Sequence, residues 1–148
     1  MNNLESKIKC IANRVLSAKQ KIISVHGNND TGYVRITLDG EKNISLKDTS
    51  EMTRMLKKTT DFIDLFPKGY RLEVTSPGLD SPLKFPFQFR KNIGRKINIT
   101  LNNKFKNSSV EAFIKDANES HLFIMVHKKN LKIEYESIIV AKLKILFN

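Results

Sequence analysis

Tryptophan is absent, tyrosine occurs three times and cysteine once in this 148-residue chain. The lone thiol, Cys10, excludes an internal disulfide, which suits a reducing cytosol. Long apolar runs are also missing. The longest, residues 122–126 and 138–141, fall far short of the roughly 20 residues that a spanning helix needs. The first ten residues space their apolar side chains at intervals, so they do not read as a secretory signal. Together these absences lead to the expectation of a soluble, cytoplasmic protein. With only 40% apolar residues the chain can form one ordinary domain or two small ones with thin cores.

Acidic residues are scarce relative to basic ones: 15 Asp and Glu against 26 Lys and Arg, a net charge of +11. That sign favours polyanionic partners. The surplus is uneven, with +3 over residues 1–83 and +8 over residues 84–148. Lys outnumbers Arg 20 to 6, as AT-rich coding tends to produce, so part of the charge also reads as solvated surface.

Catalytic patterns are equally scarce. The chain has no Walker loop, no G-x-G-x-x-G and no C-x-x-C, and neither Ser76 nor Ser81 sits in a G-x-S-x-G elbow. His26, His121 and His127 have no spacing suited to a metal or a base; the last two would lie some ~20 Å apart along one strand. Cys10, beside Ile11 on the first helix, reads as a buried and inert thiol. The expectation is a protein without catalytic residues, metal or cofactor.

What is present is periodicity. Leu4, Ile8, Ile11, Val15 and Ala18 fall at helical spacing, with Asn2 or Asn3 as the cap. Ile23 and Val25, then Val34, Ile36 and Leu38, alternate as strands around a turn at residues 28–32. Ser45 and Asp48 form a capping-box pair ahead of a second helix carrying Met52, Met55, Leu56, Thr59, Phe62, Ile63 and Phe66. Pro67-Lys68-Gly69 ends it, and Tyr70, Leu72 and Val74 make a third strand. The order is α-β-β-α-β. Beyond Gly94 five short strands are expected, around Ile97/Ile99/Leu101, residues 110–114, residues 122–126, Leu131/Ile133/Tyr135 and Ile139/Ala141/Leu143/Ile145. Their turns fall at residues 102–103, 116–120 and 128–130, a pattern that suggests a small β-barrel.

Between the two halves, residues 75–83 break all periodicity with two prolines and a glycine. Pro77 and Pro82 stiffen this connector, while Gly78 is expected to make a turn that no other residue makes cheaply. Basic residues cluster just after it: Lys84, Arg90, Lys91, Arg95 and Lys96, with Phe85, Phe87 and Phe89 interleaved. The phenylalanines read as core filling the seam between domains, and the cations as phosphate contacts. Arg71, Lys104, Lys128 and Lys129 are further candidates for that role, with Lys106, Lys142 and Lys144 adding charge.

The stretch Tyr70-Arg71-Leu72-Glu73-Val74-Thr75-Ser76-Pro77-Gly78-Leu79-Asp80-Ser81-Pro82-Leu83 resembles the junction signature of the bacterial ribosome maturation factor RimP family, Y-x-L-E-V-S followed by S-P-G-L-D-R-P-L. Residues 92–97 and 44–48 resemble that family's approaches to its second domain and second helix. Two positions depart: Thr75 stands in place of Ser, and Ser81 in place of an Arg whose guanidinium could pair with Asp80 or reach a phosphate. The resemblance implies an α+β protein with two domains. Residues 1–83 would form an N-terminal domain of KH-type-II-like layout, with its connector at 75–83. Residues 84–148 would form a C-terminal Sm/SH3-like β-barrel. It further implies a monomeric, cytoplasmic assembly factor that binds the free, immature 30S subunit through 16S rRNA and a small-subunit protein, without catalysis. Ser76, Pro77, Gly78, Leu79, Asp80, Pro82 and Leu83 would form the interdomain motif. The other reading of the same residues is a general RNA-binding module or regulator with no subunit preference.

Overall fold

A computed structural model describes residues 2–102 and 107–145. The chain resolves into two compact units, one reaching Pro77 and one starting at Gly78.

The first unit opens with helix α1, Asn3–Val15. Its free N-terminal amides are closed by a reciprocal cap. Asn2 Oδ1 accepts the Glu5 N–H at 2.7 Å, and Glu5 Oε1 accepts the Asn2 N–H at 3.0 Å. The second Glu5 oxygen accepts the Gly27 N–H at 3.1 Å, so the cap also fastens the helix to the next strand. These bonds hold the Glu5 carboxyl below the usual carboxylate range. Leu4, Ile8, Ile11 and Ala12 are buried. Cys10 is not. At about 100° per residue it points away from that stripe, and the expected buried thiol is exposed. Ala18 is likewise exposed, because the helix stops at Val15 and Leu16 turns extended.

Strands β1, Gln20–Gly27, and β2, Tyr33–Gly40, pair antiparallel. Their register shifts between Ile22 and Ser24. The bulge inserts one residue and reverses the alternation, so Ile22 and Val25 are buried while the expected Ile23 is only half-buried. In the connecting turn Asn28 Oδ1 accepts the Asp30 and Thr31 N–H groups, and Gly32 takes φ 73°. A Cβ there would lie 2.6 Å from the Gly69 carbonyl oxygen, so both space and φ require glycine.

The second amphipathic segment is two helices, not one: α2, Leu46–Lys57, and α3, Thr60–Ile63. The Ser45–Asp48 box caps α2 as its spacing predicts. Thr59 then goes extended (φ −91°, ψ 114°), while its hydroxyl donates to the Met55 carbonyl at 2.8 Å. A β-branched pair, Thr59-Thr60, suits such a break, and Met55 and Ile63 on either side of it lie outside the core. Phe62, Phe66 and Tyr70 pack ring to ring at 5.0–5.9 Å. Strand β3, Arg71–Thr75, completes a sheet of order β1-β2-β3, parallel to β2.

The second unit carries a short helix α4, Pro86–Arg90, and five strands: β4, Lys96–Asn102; β5, Asn107–Ala117; β6, His121–Val126; β7, Lys129–Glu134; β8, Ile138–Leu143. They form one antiparallel sheet of order β7-β6-β5-β4-β8. Its inner face buries Ile97, Ile99, Ala112, Ile114, Leu122, Ile124 and Ala141 around Phe89. Phe89 thus belongs to this unit's own core, with its ring 5.8 Å from Tyr135, rather than to a seam. Tyr135 leaves the expected strand for a 3₁₀ turn, Tyr135–Ser137, where its hydroxyl donates to the Asn118 carbonyl at 2.7 Å. Ile145 lies past the end of β8. The β6–β7 turn falls one residue earlier than expected, on His127 (φ 48°) and Lys128 (φ 67°). Two left-handed residues in sequence match a two-residue hairpin turn that follows the twist of its strands.

The helix α1 assignments are separable by mutation. Ile8→Ala should cost about 2–5 kcal/mol in urea unfolding followed by circular dichroism, since Ile8 is fully buried. Cys10→Ser, on the opposite face, should change it by less than about 0.5 kcal/mol.

Candidate functional site

The connector motif runs from the end of β3 to the start of α4. Ser76 and Gly78 are exposed, Pro77 is half-buried, and Leu79 is 73% exposed. The Ser81 N–H donates to the Gly78 carbonyl at 3.0 Å, closing a turn with Leu79 and Asp80 at its corners. Gly78 is not left-handed, contrary to the expectation from its position. A Cβ there would meet only side-chain oxygens, Asp80 Oδ1 at 3.2 Å and Ser81 Oγ at 3.5 Å. Neither Pro77 nor Pro82 lies in a helix or strand.

From Leu83 onward the segment is held by the second unit. The Leu83 N–H donates to the Ala141 carbonyl at 2.7 Å, and its side chain packs on the second core. One buried amide then secures the next two residues. Gln88, 1% exposed, accepts the Lys84 N–H at 2.7 Å and the Phe85 N–H at 3.0 Å through its Oε1. Its own carbonyl accepts from Asn92 Nδ2 at 2.6 Å, and Asn92 Oδ1 accepts from Arg95 Nη1 at 3.3 Å. Neither Gln88 nor Asn92 is among the residues singled out from sequence. The signal was there: Pro86 opens the helix, and Gln88 stands three residues past the capping position Phe85.

The candidate cations divide by surroundings. Arg71 is exposed at the start of β3, where the Tyr33 hydroxyl donates to Glu73 Oε2 at 2.6 Å. That bond raises the Tyr33 hydroxyl above its ordinary value. Arg90 is paired with Glu119 at 2.9 Å, and Lys96 with Glu111 at 3.4 Å. Lys144 donates to the other Glu111 oxygen, and the Lys144 bond is the main cause holding that carboxyl below its ordinary range. Lys84 is exposed and Lys91 half-buried. Lys104 and Lys106 lie outside the described residues. Lys128 and Lys129 are exposed at the tip of the β6–β7 hairpin.

The register brings several of these to one end of the sheet. Lys96 pairs with Phe113, Phe113 with Met125, and Met125 with Asn130, one residue from the hairpin tip. Lys144 joins the same end, its N–H donating to the Lys96 carbonyl. At about 4.8 Å per strand, the Lys96 and Met125 backbones stand ~10 Å apart. Arg95, Lys96, Lys128, Lys129 and Lys144 therefore share one end of the second unit, although 33 positions separate Arg95 from Lys128. Among the described residues no three His, Cys, Asp or Glu are placed to hold a metal ion. No helix among them is long and apolar enough to cross a membrane.

Comparison with known proteins agrees with the junction motif. The model of the RimP N-terminal domain matches residues 15–80. The Ribosome maturation factor RimP of Christiangramia forsetii is 28% identical over 158 aligned positions, covering 97% of this chain and 99% of that protein. The first unit is similar to the RimP N-terminal domain, and the chain as a whole is similar to that maturation factor. The match to the RimP N-terminal domain ends within the S-P-G-L-D turn, close to where the two compact units divide. Departure from the family pattern at Ser81 has a local setting here: Ser81 is half-buried and uses its backbone N–H to close the Gly78 turn.

The Gln88 clamp can be tested directly. Gln88→Leu strips the Lys84 and Phe85 amides of their acceptor and should lower the stability of the second unit by about 2 kcal/mol. Gln88→Glu, which keeps an acceptor at that position, should lose less. Equal melting of Gln88→Leu and the parent chain would show that water replaces the side chain without cost.

Proposed function

We propose that this protein is a ribosome maturation factor that binds the free, immature small subunit and promotes its assembly by binding rather than by chemistry. The observation that carries this reading is the similarity over 97% of the chain to a protein named Ribosome maturation factor RimP. The partners under this reading are 16S rRNA and a small-subunit protein, met in the cytoplasm by a monomer.

The α-β-β-α-α-β order of the first unit, with β2 and β3 parallel, supports a KH-type-II-like layout. In the second, the last strand pairs beside the first and the other three follow in sequence, which supports an Sm-like barrel. We assign ribosome contacts to Arg71, Lys84, Arg90, Lys91, Arg95, Lys96, Lys104, Lys128 and Lys129. The arrangement of charge supports this, since the second half carries +8 and gathers Arg95, Lys96, Lys128 and Lys129 at one end. Surface pairs such as Arg90–Glu119 are worth little, about 0–1 kcal/mol, so a phosphate can replace the carboxylate.

Sedimentation of a cell lysate through sucrose tests the reading. The protein should travel with free small subunits and be absent from joined ribosomes, while a general RNA-binding module would spread across fractions. Subunit affinity should also fall as salt rises, with about 0.9 counterion released per duplex phosphate neutralised. A dissociation constant indifferent to salt would move the main anchor to protein–protein contacts.

The connector is proposed to limit the freedom between two binding domains, residues 1–83 and 84–148, so that both engage one surface at high effective concentration. Replacing Pro77 and Pro82 by Gly frees the linker, at about 0.4–1 kcal/mol per proline. Subunit affinity should fall by more than thermal stability does, with binding and melting measured on the same double variant. Unchanged affinity would mean that the domains bind independently.

A further inference from the structure

The outer face of the second sheet carries apolar side chains where solvent-facing positions are usually polar. Ile97, Ala112, Ile114, Leu122 and Ile124 point to the core, so their strand neighbours point away from it. On that outer face Phe113 is 41% exposed, and Phe123 and Met125 are half-buried. Phe113 pairs directly with Met125, and Phe123 stands two residues along β6, ~7 Å away on the same side. A large ring held in water on a stiff sheet is unlike a flexible loop residue. Its position is fixed by hydrogen-bonded neighbours on both sides.

The surroundings of these rings are basic. Lys96 Nζ lies 5.6 Å from the centroid of the Phe113 ring. Lys115 and Lys132 line a shallow hollow of about 420 Å³ with Phe123 and Leu131. Lys128 stands exposed in the adjoining hairpin turn, on left-handed backbone. Carboxylates are present but engaged or peripheral. Glu111 is held between Lys96 and Lys144, Asp116 accepts the next backbone N–H at 2.8 Å, and Glu134 lies at the far end of β7. An exposed aromatic ring with a second, half-buried one beside it and lysines around them matches the chemistry of single-stranded nucleic acid, whose bases stack and whose phosphates need cations. A duplex would offer no unstacked base to Phe113.

We infer that the outer face of the second sheet is a stacking platform for single-stranded RNA, with Phe113 as the central ring, Phe123 and Met125 beside it, and Lys96, Lys115, Lys128 and Lys132 as phosphate contacts. This deepens the proposed small-subunit role, on which it rests for the source of the RNA. It places the contact on an unpaired segment of the subunit's RNA.

The test measures two affinities on the full chain: for a fluorescently labelled ten-nucleotide oligouridine by anisotropy, and for purified small subunits by co-sedimentation. Phe113→Ala should weaken oligouridine binding roughly 5- to 100-fold, the scale of one lost base stack. Phe113→Tyr, which keeps the ring, should bind within about twofold of the parent. Should Phe113→Ala fail to fold, Phe113→Leu serves instead, with apolar area kept and stacking lost, and is expected to bind weakly. Three results overturn the platform: a parent chain that sediments with subunits yet ignores oligouridine, a Phe113→Ala or Phe113→Leu variant that binds oligouridine as well as the parent, or a variant that loses subunits while keeping oligouridine. The last would make the face a protein-docking surface. A parent chain that binds oligouridine through Phe113 but not subunits would sink the subunit reading and leave the platform standing.

Discussion

Antiparallel pairing gives each strand of the second unit two faces, and a chain with so few aromatics can fill only one of them. Phe89 and the aliphatic side chains of β4, β5, β6 and β8 close the inner face. The outer face is left facing away from that core. Everything distinctive about this unit follows from that division. The lysines need not be buried, Phe113 and Phe123 stay on the open side, and Lys96 can reach across a strand to Glu111. A one-residue slip in any register would exchange the two faces, which is why a sheet with one buried side specifies its pairing so strongly.

The first unit solves the same problem with helices. Helices α1 to α3 pack a single core with the β1-β2-β3 sheet, and the caps at Asn2 and Ser45 fix where α1 and α2 begin. Glu5 has two duties there, closing its own helix and holding the Gly27 amide of β1. Bonds of this kind join local structure to tertiary packing. The same can be said of Gln88, whose carboxamide completes α4 and fixes the backbone of the segment entering the second unit.

Much of the site was visible as composition before any fold was known. Gln88 was not singled out there, but the basic residues after residue 84 are a property of the linear chain. Their convergence was not visible. Lys96 and Lys128 meet at one end of the sheet because β4, β5 and β6 are neighbours in this register. Phe113 and Phe123 were legible only as strand residues. Alternation alone does not say which face of a strand is covered when both carry large apolar groups.

Local signals determined what depends on neighbours along the chain. A cap at the start of α1, the capping box at Ser45, the turn at Asn28–Gly32, and the order of the elements apart from the split second helix followed from residue type and spacing, since the groups involved lie within a few positions of each other. Tertiary structure decided the rest. It placed a bulge at Ile23, because β1 must match β2 and also cover α1. It split the second helix at Thr59, and Met55 and Ile63 lie partly exposed on either side of the break. It turned Cys10 outward by the angular position of the core, not by the character of a thiol. And it set His127 and Lys128 into left-handed backbone, an arrangement neither residue favours by itself, because the twist of the paired strands requires that turn.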